Sequence, residues 1–485
     1  MGVIKMKKRL SVVQLIIFLI TLSVGVNLYA EESISASAAT AVTETAVTAE
    51  KSTVTTSEAV TAAPVVEAEK PKADTGDTAW ILISSALVLF MTVPALALFY
   101  GGMSRKKNML STFYYSLSAA IVVSVMWVAF QYSMTFGGKD VFGIFGNLDK
   151  AFMNGITIDS LASLAPNIPE SVFAVFQMTF AIITVALISG AIVERLKFSA
   201  WIVFVILWSV VVYTPLAHWV WNADGWICKM GALDFAGGLV VHISSGVSAL
   251  VAALFIGERV RYKKDTMLPN NIPYVFIGAT MLWFGWFGFN AGSALGANGL
   301  AGNAFLVTNT AAAVAAITWM VIEWFVHGKP SVIGAVSGLV AGLVAITPAA
   351  GFVDTKAAFI IGIVVSILCF LFVAKVKKAL GYDDSLDAFG VHGIGGTWGA
   401  IATGLFANHN INPNGVKTVQ DSGLFYSGNF NLLGKQLISV GAAYGIAIVG
   451  TLVILLVMKQ FMKLRVEPQE EIFGLDLVEH GEKVD

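Results

Sequence analysis

Two histidines sit inside long uncharged stretches, each shortly after an aspartate and beside glycines: Asp234-Phe-Ala-Gly-Gly-Leu-Val-Val-His242 and Asp387-Ala-Phe-Gly-Val-His392. After His242 no Asp, Glu, Lys or Arg occurs until Glu258, and after His392 none until Lys417. An imidazole inside such a stretch is costly in a bilayer, so it should line a path or pair with a partner. Imidazole both donates and accepts hydrogen bonds, and its proton affinity lies near neutral pH. Proton handling is therefore the chemistry that these two residues could perform. A dry conduit with two neutral imidazoles would strip a hydrated alkali ion without replacing its shell. It could pass a small neutral molecule while the proton travels separately. Near the outer ends of the apolar stretches lie Phe176 and Phe180, Trp219 and Trp221, and Phe287 and Phe289, the last followed by Ser293. Aromatic faces attract cations, although taken alone these rings read as an interfacial belt.

Elements that could hold such a pair are written in the composition. Of 485 residues 56% are hydrophobic and 13% charged. A soluble domain carries about a quarter charged residues, so the fold class is an all-α polytopic membrane protein. Eleven apolar runs are long enough to cross about 30 Å of hydrocarbon: 80–101, 113–136, 171–193, 198–221, 235–256, 272–291, 304–326, 332–348, 356–374, 387–408 and 435–461. The run at 332–348 is the shortest.

Charge orients these runs. If the first enters from outside, the inward loops hold 16 basic residues, among them Arg105, Arg195, Arg259, Lys377 and Arg465, and the outward loops hold 6. The positive-inside rule then puts the C-terminus in the cytoplasm. The fifth and tenth runs, which carry the histidines, point in opposite directions. Two inverted five-helix units plus one C-terminal helix follow, as in inverted-repeat transporters. His242 lies eight residues beyond Asp234, roughly 12 Å along a helix, and His392 starts from the other face. Gly334, Gly338 and Gly342, and again Gly395 and Gly399, have the spacing that lets helices touch in lipid.

The N-terminus reads as a processing segment: a basic start (Lys5 to Arg9), an apolar stretch (Val12 to Val26) and a cleavage site at Leu28-Tyr29-Ala30. Residues 1–30 are thus expected to be a signal peptide. Residues 31–78, rich in Ala, Thr, Ser, Val and Glu, should form an exported disordered segment. The membrane domain spans 79–463 and a cytoplasmic tail 464–485. Cys228 and Cys369 are the only cysteines and show no metal spacing. No nucleophile elbow, phosphate loop or metal cluster stands in the sequence, so no enzyme and no cofactor is expected. Net charge of −1 gives no reason to expect nucleic acid.

Five stretches resemble the ammonium transporter (Amt/Rh) family: ALFYGG (97–102), ALDFAGGLVVH (232–242), GWFGFNAGS (285–293), DAFGVHGIGG (387–396) and GLDLVEHGE (474–482). The likeness covers nearly all of residues 80–485. It implies eleven transmembrane helices, one pore per subunit and a homotrimer in the inner (plasma) membrane. It further implies an outer site that binds ammonium, with Trp221 recruiting and Ser293 accepting a hydrogen bond. Phe180 and Phe289 match the two stacked gate rings, and Asp234 the buried aspartate thought to orient the outer site and add favourable potential. His242 and His392 match the paired histidines that relay a proton. Ammonium equals potassium in charge and nearly in size, but it carries four N–H donors and can lose a proton. A serine acceptor with π faces therefore favours it, and a dry pore rejects ions that cannot deprotonate.

The resemblance also implies that the tail docks a PII-type regulatory protein; its Arg465-Val466, Glu471, Gly474-Leu475-Asp476 and His480-Gly481-Glu482 keep the pattern. A tail that only packs between subunits is the alternative. The chain departs from typical members in segment 31–78 and in the loop Asn222–Met230, which is one residue longer. Two rival functions stay open at this point. One is a Rhesus-like channel for neutral ammonia or carbon dioxide, against which Trp221 and Ser293 speak. The other is an ammonium sensor, which would usually bear a fused cytoplasmic domain.

Overall fold

The structure is a computed structural model and describes residues 72–484. The expected signal peptide lies outside the described residues, as do positions 31–71 of the exported segment. At the end of that segment Thr75 already opens the first helix, whose start Asp74 caps by accepting the Asp77 N–H at 2.8 Å.

Helices dominate, and every apolar run read from the sequence is helical. In chain order they are α1 (Thr75–Met103), α2 (Lys106–Phe136), α3 (Glu170–Ile192), α4 (Phe198–Met230) and α5 (Gly238–Ile256), followed by α6 (Ile272–Gly292), α7 (Gly299–His327), α8 (Val332–Ile346) and α9 (Thr355–Leu380), then α10 (389–406) and α11 (Asn431–Phe461). Among the described residues nine are long and apolar enough to cross a membrane. The exceptions are α8, apolar but shorter, and α10, which joins the turn Phe389–Gly393 to the helix Ile394–Phe406. The boundaries follow local chemistry. Asn271, Asn298, Ser331 and Asp354 each accept a backbone N–H three residues ahead, the N-cap bond that a helix start needs. Gly328 and Gly381 end α7 and α9 with positive φ, which costs glycine nothing.

The all-helical expectation needs one correction. Between α2 and α3 the chain forms two small antiparallel hairpins, β1 (Asp140–Val141) with β2 (Phe145–Gly146), and β3 (Leu161–Ala162) with β4 (Ala165–Pro169). A connection of this length folds on itself because its backbone groups need partners.

The glycine spacing does what the sequence suggested. On α8, a Cβ at Gly338 would meet Trp319 and Ala315 of α7, and one at Gly342 would meet Ala311 and Ala312. On α10, a Cβ at Gly399 would lie 2.3 Å from the Ala345 carbonyl oxygen of α8. Closer to the histidines the approach is tighter. A Cβ at Gly246 of α5 would lie 2.1 Å from the Gly393 nitrogen of α10, and one at Gly396 would lie 2.9 Å from His242 Cβ. Helices α5 and α10 therefore cross backbone to backbone. That crossing sets the distance between the imidazoles.

Candidate functional site

His242 and His392 lie in matching distortions. Each sits in a π-helical turn, Gly238–Ile243 in α5 and Phe389–Gly393 in α10, a feature frequent at functional sites. Their Nδ1 atoms are 3.2 Å apart and their rings stack at 5.3 Å with 24° between planes. A hydrogen bond between two Nδ1 atoms places one proton between them, so in a neutral pair the tautomer of one ring fixes that of the other. If His242 donates, its Nε2 is a bare acceptor and His392 carries its own proton on Nε2. His242 Nε2 is buried and has no hydrogen-bond partner among protein atoms. Trp286 stacks on His242 at 5.5 Å and is itself tethered, its Nε1 donating to Thr347 Oγ1 at 2.9 Å. The cavity that both imidazoles line, with Leu282, Ile183 and Val340, is about 10 Å³. That is the threshold for a single water. Apart from the two imidazoles the wall is apolar, and the cavity has room for one water at most.

Above this cavity Phe180 and Phe289 stack at 4.3 Å. Together they close the way from a second cavity of about 200 Å³, lined by Trp221, Phe180, Phe176, Gln177 and Ser293. The structure thus brings Trp221, Ser293 and Phe180 into one vestibule, with Phe289 directly beneath. Trp221 meets Phe180 edge to face at 5.7 Å, and its Nε1 donates to the Asp234 carbonyl at 3.0 Å. Ser293 Oγ donates to the Phe289 carbonyl at 2.8 Å. Its hydrogen is thereby used, and its lone pairs are left to accept. Phe176 joins the vestibule, whereas Trp219 packs on Trp226 and Phe287 stacks on Phe305, away from it. The polar lining residue Gln177 was missed in the sequence, and its side-chain oxygen is buried without a partner.

Asp234 does not line the vestibule. Its carboxylate accepts four backbone N–H groups, those of Gly237, Gly238, Leu239 and Val240, at 2.9, 2.6, 2.8 and 3.2 Å. It caps the start of α5, and Gly237, at φ 112°, makes the left-handed turn that allows this.

The inner counterpart corrects the pairing suggested by the motifs. Asp384, not Asp387, does the equivalent work, accepting from the Ala388 and Phe389 N–H at 3.1 and 2.8 Å. Asp384 stands eight residues before His392, as Asp234 stands eight before His242; equal spacing was the signal that could have found it. Asp387 instead forms an ion pair with Lys377 at 2.6 Å and helps line an inner cavity of about 20 Å³ with Ser337 and His392.

The loops after α1, α3, α5 and α9 meet the C-terminal tail at one end of the molecule. Arg259 pairs with Glu194 at 2.9 Å and with Asp383 at 2.8 Å, and Arg105 with Glu194 at 2.7 Å. Burial opposes ionisation of Glu194, but the Arg259 and Arg105 guanidiniums outweigh it and hold its carboxyl below the ordinary range. For Asp383 burial is likewise outweighed, here by Arg195 and Arg259. The tail joins this cluster through two short helices, α12 (Pro468–Phe473) and α13 (Leu475–His480). Glu471 pairs with Arg465 at 2.7 Å, Asp476 accepts the Ser111 N–H at 2.7 Å, and His480 lies against Tyr114 and Phe198. The tail therefore packs on the chain's own loops and on the start of α2.

Many helices around a narrow apolar path, with an aromatic vestibule above an imidazole pair, define a polytopic membrane protein built for passage of a small solute. The family model described as "Ammonium Transporter Family" matches residues 79–484, and the chain belongs to that family. It is 50% identical to an ammonium transporter of Bacillus subtilis over 410 residues, 84% of this chain and 98% of that protein. It is 47% identical to ammonium transporter Amt1 of Archaeoglobus fulgidus, with the same two coverages. Among solved structures, Mep2 of Saccharomyces cerevisiae is similar with a TM-score of 0.76 and 38% identity, over 82% of this chain and 89% of that one.

Proposed function

We propose that this chain is an ammonium transporter: it gathers ammonium in the outer vestibule, removes a proton, and passes ammonia through the dry cavity while the imidazole pair carries the proton. The observation that carries the reading is the 3.2 Å contact between two Nδ1 atoms in a cavity of about 10 Å³, directly beneath a stacked phenylalanine pair. Family membership and the names of the relatives support ammonium as the cargo.

In the vestibule Ser293 Oγ accepts one N–H and the faces of Trp221 and Phe180 attract the charge; the free Gln177 oxygen accepts a second N–H. Asp234 acts through structure, holding the start of α5 and, by its carbonyl, Trp221. Movement of the Phe180 and Phe289 rings admits the solute. A proton delivered to His242 Nε2 displaces the shared proton onto His392 Nδ1, and His392 releases its Nε2 proton toward the inner cavity. Ammonia, uncharged, crosses without a hydration shell. Potassium has no proton to give up and would enter bare, a large desolvation cost.

The same reading takes the chain as eleven crossings arranged as two inverted five-helix units plus one helix. The loops at 257–259 and 383–387 share one end with four helices between them, which supports a full crossing by the short α8. The equal placement of Asp234 and Asp384, each eight residues before its histidine, supports the inverted units. Assembly as a homotrimer in the inner membrane, an exported N-terminus after signal cleavage, a cytoplasmic tail and a PII-type partner at the inner face rest on the resemblance and on the charge of the loops.

Uptake of radiolabelled methylammonium into proteoliposomes tests the reading. Ser293→Ala with Trp221→Leu should raise the half-saturation concentration about ten-fold or more, the loss of one hydrogen bond and one π contact. An unchanged concentration dependence would remove the vestibule from the account.

A further inference from the structure

At the outer end one carboxylate ties together three segments that are far apart in sequence. Asp77, in the first turn of α1, accepts the Ala297 N–H at 2.7 Å with one oxygen and the Asn167 side-chain amide at 2.6 Å with the other. The same Asn167 amide donates to the Leu295 carbonyl at 2.8 Å, and the Asn167 carbonyl accepts from the Asp74 N–H at 2.8 Å. Asn167 lies in β4, the strand paired with the hairpin segment that precedes Leu164. Leu295 and Ala297 lie in the turn that leaves α6, two and four residues beyond Ser293.

That turn is not stable by itself. Leu295 holds φ 53°, a left-handed conformation that a branched side chain adopts only under constraint. Next to it Gly296 packs so closely that an added Cβ would lie 3.1 Å from the Asp77 oxygen and 3.3 Å from the Asn167 amide nitrogen. Leu164, Leu295 and Ser293 all line the 200 Å³ vestibule. The Asp77–Asn167 pair therefore locks both lips of the vestibule to the start of α1.

We infer that Asp77 and Asn167 are positioning residues for cargo recognition: they hold the strained turn at Leu295 so that the Ser293 hydroxyl keeps its bond to the Phe289 carbonyl and presents its lone pairs to the vestibule. The inference rests on the transport reading above and adds residues that touch neither cargo nor pore. Without the clamp, the turn relaxes and Ser293 samples other rotamers, so the outer site weakens. The dry cavity, the phenylalanine pair and the imidazoles lie below and are untouched.

The test measures methylammonium uptake by Asp77→Ala, Asn167→Ala, Ser293→Ala and the two clamp variants combined with Ser293→Ala. Each clamp variant should raise KM about five-fold, one neutral hydrogen bond's worth of binding, with maximal rate within about two-fold per unit of folded protein. On the Ser293→Ala background the clamp substitutions should add less than about two-fold, since coupled residues are not additive. A lowered maximal rate with unchanged KM, or a full additional KM effect without Ser293, would overturn the inference. If Asp77→Ala fails to reach the membrane, Asn167→Ala and Asp77→Asn, which keeps the bond to Ala297, carry the same test. A wild-type KM in Ser293→Ala would instead strike the outer-site reading, a result separable from normal Ser293 dependence with silent clamp variants.

Discussion

Replacing Asp234 by asparagine should unsettle the fold before it alters recognition. One carboxylate oxygen accepts from Gly237 and Gly238, and the other from Leu239 and Val240. The amide can keep the first pair but turns its NH₂ toward the second pair of N–H groups. Two bonds to a charged acceptor are lost, each contributing about 1.5–3 kcal/mol, and two buried donors are left facing a donor. About 3–6 kcal/mol is thus at risk before relaxation. Water reaching the vestibule side would recover part of it. A drop in melting temperature of roughly 5–10 °C in detergent is expected, measured by intrinsic fluorescence, with uptake falling in parallel because α5 carries His242. Asp234→Ala, which orphans all four donors, should be worse. If Asp234→Asn melted within about 2 °C of wild type yet lost uptake, the carboxylate would be acting on the cargo by its charge, and the capping account would be wrong.

Other outcomes follow from the same geometry. Gly246→Ala puts a Cβ where the Gly393 backbone nitrogen stands, 2.1 Å away. Helices α5 and α10 must separate, at a cost of about 1–3 kcal/mol, and uptake should fall at least ten-fold; normal uptake would show that the imidazole spacing is not critical. Glu194 and Asp383 have carboxyls held below their ordinary values of 4.5 and 3.8 by guanidiniums, so the stabilising contribution of each is present above its own unfolded value and is lost as pH falls through its folded value. Melting temperature should decline on acidification below about pH 4.5, and Glu194→Gln should flatten that decline; an unchanged acid limb would place the sensitivity elsewhere.

Much of this molecule is legible in its sequence because the bilayer permits few solutions. Backbone groups must be satisfied within each crossing, so apolar runs such as 171–193 and 272–291 read almost directly as α3 and α6. The histidines were visible for the same reason, since an ionisable ring in such a run needs a purpose. Detail that depends on which residues meet was not legible. Asp387 stood nearer to His392 and matched the motif by eye, while the helix cap is Asp384 at the spacing of Asp234. The contact of Gly246 with Gly393 is invisible to any pattern within one helix, because it belongs to a crossing of two. Nothing in the pattern distinguishes Gln177 from any other polar residue on a helix, and only the fold places its buried side-chain oxygen in the cavity that Ser293 also lines. The tail's motifs suggested a partner surface, but not that Asp476 would cap α2 by accepting the Leu110 and Ser111 N–H groups. The hairpins at 140–169 leave no readable period: three of their strands have two residues each, and the fourth, Ala165–Pro169, carries two prolines that argue against a strand.

The measurement that bears most directly on the account is current across a bilayer containing the purified protein, recorded with ammonium and then potassium, for wild type and for His242→Ala and His392→Ala. If the imidazole pair separates nitrogen from its proton, wild type carries an ammonium-dependent current and none with potassium, and each substitution abolishes the ammonium current or admits potassium. Ammonium current and potassium exclusion that both survive loss of either ring would contradict it.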